Sequence, residues 1–356
     1  MLDLVSPAIA ATVAAIEPID AGYAARAQAE LDQKTKPRRS LGRLEDLAVQ
    51  LAAIRRRLDL LPFDAAVVVA AADHGYAARA VSAYPQEVTR QMLLNFAAGG
   101  AAVAVLARQA GARLVVVDVG VVDAVADPEI TSLRIARGTA DATAGPAMTT
   151  GEARAATEAG LKTAAKLAEQ GVSVLALGDM GIGNSTAASA LCAALLDLAP
   201  SVVCGPGTGL DAAGVERKVA VVERALRVNA VDGSDPLAAL AGVGGLEIAF
   251  LTGAILGAAR ARQAVVLDGF IVGAAALVAA RLAPLSVDYM VAAHLSPEPG
   301  HRLTLDCLGL VPLLDFELRL GEGSGAALIL PILKAAAALL VEMATFDSAG
   351  VTDSGR

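Results

Sequence analysis

Residues 172–186 read VSVLALGDMGIGNST, an apolar run that passes through a glycine-rich turn into an alanine-rich segment. The run is nearly continuous in its apolar character instead of alternating, which is typical of a parallel strand covered on both faces. Glycines after such a strand favour a tight turn. The stretch therefore predicts a strand, Val172–Leu177, followed by a turn and a helix.

Four further runs share this pattern and predict strands at Ala65–Ala71, Leu114–Val119, Ala264–Leu267 and Tyr289–Ala293. Helical patterns lie between the strands, at Glu87–Ala110, Glu152–Gln170 and Leu246–Arg262. Alternation of this kind is the pattern of βαβ units. We expect an α/β fold with a doubly wound, mainly parallel sheet and helices on both faces.

The two ends of the chain look different from its middle. The first part, to about Leu60, has apolar residues at helical spacing and is interrupted by the polar stretch Asp32–Ser40. The segment Ser324–Met343 is again helical in pattern. We expect a small helical domain built from residues 1–60 and 325–356, beside a large nucleotide-binding and catalytic domain of residues 61–324.

Composition excludes two kinds of partner. Of the 356 residues, 55% are hydrophobic and 19% are charged, and the formal net charge is −8. A negative chain argues against nucleic acid, which favours a basic surface. The longest uncharged stretches, Gln91–Ala107 and Met180–Leu196, fall short of the roughly 18 residues that a spanning helix needs. We therefore expect neither a nucleic-acid nor a membrane partner.

Cysteine usage bears on the compartment. Cys192, Cys204 and Cys307 are widely spaced and form neither a metal-binding pattern nor an even-numbered disulfide framework. Buried, inert thiols are the expectation for all three. Acidic residues such as Asp3 and Glu17 interrupt the N-terminal apolar stretch, so no secretory leader is predicted. A cytoplasmic protein fits these features best.

Polar residues and glycines follow every predicted strand. They are Asp73-His74-Gly75, Asp118-Val119-Gly120, Gly178-Asp179-Met180-Gly181, Asp268-Gly269 and His294-Leu295-Ser296. In open parallel sheets, ligands bind at the carboxyl ends of the strands. Asp and Gly are also ordinary turn residues, but five such loops favour one shared site.

Two glycine-rich loops are suited to an anion. Gly178–Thr186 begins a helix, whose N-terminus and backbone N–H groups attract phosphate. It is neither a P-loop nor the dinucleotide spacing G-x-G-x-x-G, and close helix–strand packing would require the same glycines. Gly205–Gly209 is followed by Lys218, which by itself would be a solvated helix residue. Together the two loops and the lysine suit a single phosphomonoester.

A third motif, Arg319–Gly325, places Glu322 between two glycines before the C-terminal helix. Glu322 can act as a general base if burial raises its pKa. It can equally well complement the dipole of a helix N-terminus.

The three histidines, His74, His294 and His301, lack metal-binding spacings, and we expect neither a metal nor a cofactor.

At these residues the chain resembles the nicotinate-nucleotide–dimethylbenzimidazole phosphoribosyltransferase family of cobalamin biosynthesis. The matching stretches run in order through almost the whole chain: Ser40–Glu45, Asp73–Gly75, Ser82–Thr89, Gly178–Thr186, Gly205–Gly209 with Lys218, and Arg319–Gly325. The resemblance implies a homodimer that moves 5-phosphoribose from nicotinate mononucleotide to 5,6-dimethylbenzimidazole. The products are α-ribazole 5′-phosphate and nicotinate, with inversion at C1′ and a carboxylate as general base.

The resemblance also implies roles for individual residues. Glu322 is the catalytic base, and Asp179 lies near the reacting centre. The phosphate and ribose are expected at Gly181, Gly183, Asn184, Ser185, Gly207, Thr208 and Lys218. The acceptor base is expected at Ser82, Tyr84, Gln91 and Leu320.

Two departures and two alternatives accompany the resemblance. Arg39 stands where the family commonly has glycine, and Glu317 is an additional acid close to Glu322.

A nucleotide-dependent oxidoreductase is disfavoured because the first strand ends in Asp73-His74-Gly75 instead of the dinucleotide turn. A non-catalytic or differently specific nucleotide-binding protein is the other alternative. The natural acceptor, whether a benzimidazole, a purine or a phenolic base, stays open.

Overall fold

A computed structural model describes residues 5–353. Its strands are β1 (Ala65–Ala72), β2 (Arg113–Gly120), β3 (Ile130–Ser132), β4 (Val174–Met180), β5 (Ala264–Leu267) and β6 (Met290–Ala292). They form one sheet in the order β3-β2-β1-β4-β5-β6, and every neighbouring pair is parallel. The α/β class predicted from the sequence is confirmed, and so are the five predicted strands, to within three residues at each end.

The helices follow in chain order. They are α1 (Pro7–Ala14), α2 (Ala21–Asp32), α3 (Arg43–Arg55), α4 (Glu87–Ala97), α5 (Ala102–Ala110), α6 (Thr150–Glu169), α7 (Asn184–Leu196), α8 (Pro200–Val203), α9 (Ala212–Val228), α10 (Pro236–Val243), α11 (Leu246–Arg260), α12 (Phe270–Leu282), α13 (Pro299–Leu308), α14 (Ser324–Glu342) and α15 (Phe346–Ala349). The predicted helix Glu87–Ala110 is in fact two helices, because the chain turns at Gly99, which has a φ of +76°.

The core lies between the sheet and the helices on it. All eight residues of β1 are buried, so both faces of the sheet are covered at its centre. Helix α11 packs across β1, β2, β4 and β5, and α6 packs on α11. The two helices approach closely because a Cβ at Gly160 or Gly253 would collide with the backbone of the other helix. These glycines thus let α6 lie directly against α11.

The chain ends meet in space. Helix α14 packs on α2, α3, α5, β1 and β4, and Lys34 and Thr345 form an antiparallel bridge. Helix α1, in contrast, packs on α6 and α11. The division into residues 1–60 with 325–356 and residues 61–324 stays a prediction, and its parts at residues 1–4 and 354–356 lie outside the described residues.

Two further expectations meet the structure here. Glu87–Ala110 and Ser324–Glu342 are long and apolar enough to cross a membrane by length and composition, but the first is broken at Gly99 and the second packs on the sheet. Core helices pass the same test, so this is weak support for a membrane protein.

The expectation of three buried thiols was wrong for one: Cys192 and Cys204 are buried, whereas Cys307, on α13, is exposed.

Candidate active site

A cavity of about 370 Å³ lies at the carboxyl ends of the strands. Its wall includes Asp179 at the end of β4, Gly269 after β5 and His294 after β6. Much of the remaining surface is apolar and comes from Tyr84, Val88, Met92, Ile182, Ile271 and Leu320. The sheet therefore places an apolar slot beside a group of polar side chains.

The start of helix α7 forms the polar end of the cavity. Gly183 adopts a φ of +99° immediately before the helix, so the chain turns sharply out of β4. The side-chain amide of Asn184 donates to Asp179 Oδ2 at 2.8 Å, and Ser185 lines the cavity. The positive end of the α7 dipole therefore points to where an anion can bind.

Lys218 lies behind this wall on α9 and is fully buried. Its ammonium donates to Ser185 Oγ at 3.1 Å and to the carbonyl oxygen of Gly205 at 3.2 Å. Burial lowers the pKa of Lys218. The loop at Gly207 is held by Glu298, whose Oε1 accepts the Gly207 N–H at 2.7 Å.

Glu322 lies in the opposite wall of the cavity and has a strained backbone conformation. It has a φ of +64°, a conformation that few residues other than glycine adopt. The turn packs directly on β4, where a Cβ at Gly178 would lie 2.5 Å from the carbonyl carbon of Glu322. Asp268, at the end of β5, accepts the N–H groups of Gly323 at 3.2 Å and Ala326 at 2.9 Å. The sheet thus fixes the turn that carries Glu322.

Electrostatics distinguish the carboxyl groups at this edge. Burial, together with the negative charge of Asp268, raises the pKa of Glu322 to about 7. Asp179 is also buried, and burial followed by the charge of Asp268 raises its pKa well above the usual value. Glu322 can therefore gain or lose a proton near neutral pH, as a general base must.

Two of the three histidines, His74 and His301, form hydrogen bonds within the protein. His74 Nε2 lies 2.7 Å from Glu247 Oε1, with both side chains fully buried. Burial lowers the pKa of His301 to about 3. Among residues 5–353, no group of three or more His, Cys, Asp and Glu side chains is arranged to hold a metal ion.

A family model described as Phosphoribosyltransferase matches residues 16–351 of the chain. The chain belongs to this family. The nicotinate-nucleotide–dimethylbenzimidazole phosphoribosyltransferase of Roseiflexus sp. (strain RS-1) is 51% identical over 342 residues, which cover 96% of this chain and 97% of that protein. The protein of the same name from Pseudomonas putida is 50% identical over 344 residues, covering 95% and 97%.

A solved structure agrees with these relatives. The crystal structure of nicotinate-nucleotide–dimethylbenzimidazole phosphoribosyltransferase from Thermus thermophilus matches with a TM-score of 0.88 at 49% identity. The match covers 94% of this chain and 100% of that chain. The resemblance read from the motifs is therefore confirmed, as are the fold class and the assignment as a phosphoribosyltransferase.

Most of the predicted site residues line the cavity of the phosphoribosyltransferase. They are Tyr84, Asp179, Gly181, Asn184, Ser185, Gly207, Thr208, Leu320 and Glu322. Three others lie directly behind the wall. Gly183 caps α7, Lys218 supports Ser185, and Ser82 Oγ lies 3.1 Å from Thr208 Oγ1.

Gln91 lies elsewhere. It lines a separate, open depression of about 650 Å³ together with Arg90, Arg134 and Arg137. On helix α4 the side chains at positions 88 and 92 face the cavity, and the one at position 91 faces away. The structure therefore gives Gln91 no place in the wall of the candidate acceptor slot.

Several lining residues of the phosphoribosyltransferase were missed. Val88 and Met92 are four residues apart on α4 and share one helix face. Glu298 lies just after the polar loop at the end of β6, and Ile271 starts α12. The spacing of Val88 and Met92 was available as a signal, whereas nothing local distinguishes Glu298 from a surface acid.

Proposed function

We propose that this phosphoribosyltransferase transfers 5-phosphoribose from nicotinate mononucleotide to a benzimidazole-type base, 5,6-dimethylbenzimidazole. The products are α-ribazole 5′-phosphate and nicotinate. One observation carries the proposal: a carboxyl group with a pKa of about 7, Glu322, faces an apolar slot beside a helix N-terminus suited to phosphate. The names of the relatives support the choice of substrates.

The donor binds with its phosphate at the start of α7. There the helix dipole, the Ser185 hydroxyl and the Gly207 loop provide positive potential and hydrogen-bond donors. The Lys218 ammonium stands behind Ser185 and orients that hydroxyl. Holding the phosphate in this way fixes C1′ of the ribose relative to the acceptor. A fixed geometry of the two reactants lowers the activation barrier of the transfer.

Asp179 lies where positive charge is found in the donor. In the free enzyme its carboxyl resists ionisation because it is buried near Asp268 and Glu247. The pyridinium of bound nicotinate mononucleotide brings a positive charge into that environment, which favours the ionised carboxyl. Asp179 then stabilises the cationic character of C1′ as the bond to the pyridinium nitrogen breaks.

The acceptor lies in the apolar slot against side chains such as Tyr84, Met92 and Leu320. One of its ring nitrogens attacks C1′ from the face opposite the departing nicotinate, which inverts the anomeric centre. Glu322 takes the proton from the other ring nitrogen, so no cationic product accumulates. Proton removal of this kind contributes about 10²–10⁴-fold to a rate.

The cellular setting belongs to the same proposal. Free, buried thiols at Cys192 and Cys204 are usual in a reducing compartment, which supports a cytoplasmic protein. A homodimer is proposed from the family resemblance.

Product analysis tests the function. The protein is incubated with nicotinate mononucleotide and 5,6-dimethylbenzimidazole, and in parallel with purine and phenolic acceptors. We expect release of nicotinate and formation of the α-nucleotide phosphate, with the benzimidazole preferred. No product with any acceptor would refute the assignment of substrates and favour a nucleotide-binding protein without this activity.

The role of Glu322 is tested with a matched pair of variants. Glu322→Gln keeps the shape of the side chain but cannot accept the proton, so turnover should fall by about 10²–10⁴-fold. Acceptor binding, measured by calorimetry, should be retained. Glu317→Gln is the control, because Glu317 is exposed and lies outside the cavity wall. Full activity in Glu322→Gln would move the proton acceptor to another group.

A further inference from the structure

The cavity wall contains more acidic than basic side chains. Three carboxyl side chains line it: Asp179, Glu298 and Glu322. Among the described residues, Arg319 is the only arginine or lysine in that wall. Lys218 is fully buried behind the wall and donates to the Ser185 hydroxyl. Arg319 is thus a cation of the cavity wall that has no role in the proposed phosphate site.

Arg319 is available to a ligand. It is exposed, and no ion pair found between residues 5 and 353 includes it. Its near neighbour Glu322 has a raised pKa, caused by burial and by the charge of Asp268. A close pairing with Arg319 would instead lower that pKa. The guanidinium therefore serves neither Glu322 nor a partner on the protein surface.

The proposed donor carries three charged groups that can be matched to the wall. Its phosphate fits the start of α7, and its pyridinium fits the carboxyl group of Asp179. The remaining group is the carboxylate of the pyridine ring, which an ionised Asp179 repels. Arginine presents a planar fork of N–H donors that pairs with a carboxylate through two hydrogen bonds.

We propose that Arg319 binds the ring carboxylate of the donor and thereby selects nicotinate over nicotinamide as the leaving base. The inference rests on the proposed transfer of phosphoribose from a pyridine nucleotide. A neutral carboxamide in the same position gains no ion pair with Arg319. Donor choice then depends on a residue three positions before the catalytic base, in the same loop.

Donor competition tests the inference. The ratio of kcat/KM for nicotinate mononucleotide to that for nicotinamide mononucleotide is measured in wild type, Arg319→Ala and Arg319→Lys. Wild type should favour the acid by on the order of 10-fold or more. The ratio should fall towards one in Arg319→Ala and be intermediate in Arg319→Lys. Arg137→Ala, in the separate depression, should keep the wild-type ratio.

A different pattern overturns the proposal. If Arg319→Ala weakens both donors equally, the guanidinium acts on the phosphate or on the loop, and the ratio stays unchanged. Calorimetry with nicotinate and nicotinamide decides the point without turnover. Wild type should bind nicotinate more tightly, and Arg319→Ala should bind both alike. A wild type that makes no product refutes the proposed function, whereas equal binding of the two bases refutes this inference.

Discussion

Two turns on opposite walls of the cavity have nearly the same sequence pattern and different chemistry. Gly181-Ile182-Gly183-Asn184 leads into α7, and Gly321-Glu322-Gly323-Ser324 leads into α14. In both, the glycine before the helix has a positive φ, +99° at Gly183 and +82° at Gly323. Local backbone shape alone therefore does not decide what each turn does.

The difference lies in what occupies the backbone N–H groups. At α14, the carboxylate of Asp268 accepts from Gly323 and Ala326. No carboxylate of the described residues accepts from the first turn of α7, where Asn184 uses its amide to bond Asp179. The α7 end keeps its positive potential for an outside anion. The α14 end is already occupied by Asp268, and burial together with the charge of that residue raises the pKa of Glu322 to about 7.

Among the substitutions that compare the two turns, the largest expected effect comes from displacing the Glu322 turn from the sheet. In Gly178→Ala, the new Cβ would meet the backbone of Glu322 and Gly323, so the base moves. A displacement of about 1 Å can cost about 10²-fold in rate, and overpacking lowers the free energy of unfolding by about 1–3 kcal/mol. Steady-state kinetics and thermal unfolding measure both.

Gly145→Ala is the control for that substitution, because nothing lies within 4 Å of a Cβ at this position. It should keep both activity and stability. Unchanged kinetics in Gly178→Ala would show that the packing of the turn on β4 does not position Glu322.

The next effect is confined to the other turn. Ser185→Ala removes the hydroxyl that lines the cavity and accepts from Lys218. We expect kcat/KM for the donor to fall by roughly 10-fold, with little change in the KM of the acceptor. A loss that appeared in the acceptor KM instead would contradict the assignment of the two turns to different substrates.

The smallest effect is a shift along the pH axis. Glu322 must be ionised to accept a proton, so the rate should rise with pH through about 7. Asp268→Asn removes a nearby negative charge and lowers the pKa of Glu322, so the rising limb moves to lower pH. At pH 6 the variant should keep a larger fraction of its own maximal rate than wild type does. Its maximal rate above pH 8 should be lower than that of wild type, because an amide replaces one of the two oxygens that accept from Gly323 and Ala326. The shape of the pH–rate profile measures this independently of the absolute rate, and an unmoved limb would mean that burial alone raises the pKa.

Much of this arrangement could be predicted from the sequence. The apolar strands set the sheet, and the glycine motifs at Gly181–Gly183 and Gly321–Gly323 marked both turns. The short edge strand β3 was missed because three residues carry too little pattern. Helix α4 was predicted to continue into α5 because both are apolar, and the turn at Gly99 outweighs that similarity.

What the sequence could not supply was orientation. Gln91 and Met92 are neighbours, yet only the second faces the cavity, and one helical position, about 100°, separates the two outcomes. Glu298 comes into the wall because Gly207, 91 positions away in the chain, approaches it. Such long-range contacts depend on the assembled sheet and leave no local signature.

The close approach of α6 and α11 has a mechanical consequence. At Gly160 and Gly253 the backbones of the two helices lie next to each other, with no side chain between them. A sliding motion of either helix would therefore bring backbone atoms into collision. Interiors packed this tightly transmit displacement instead of absorbing it. The sheet and its helical layer should therefore move as one stiff body beneath the loops at the carboxyl edge.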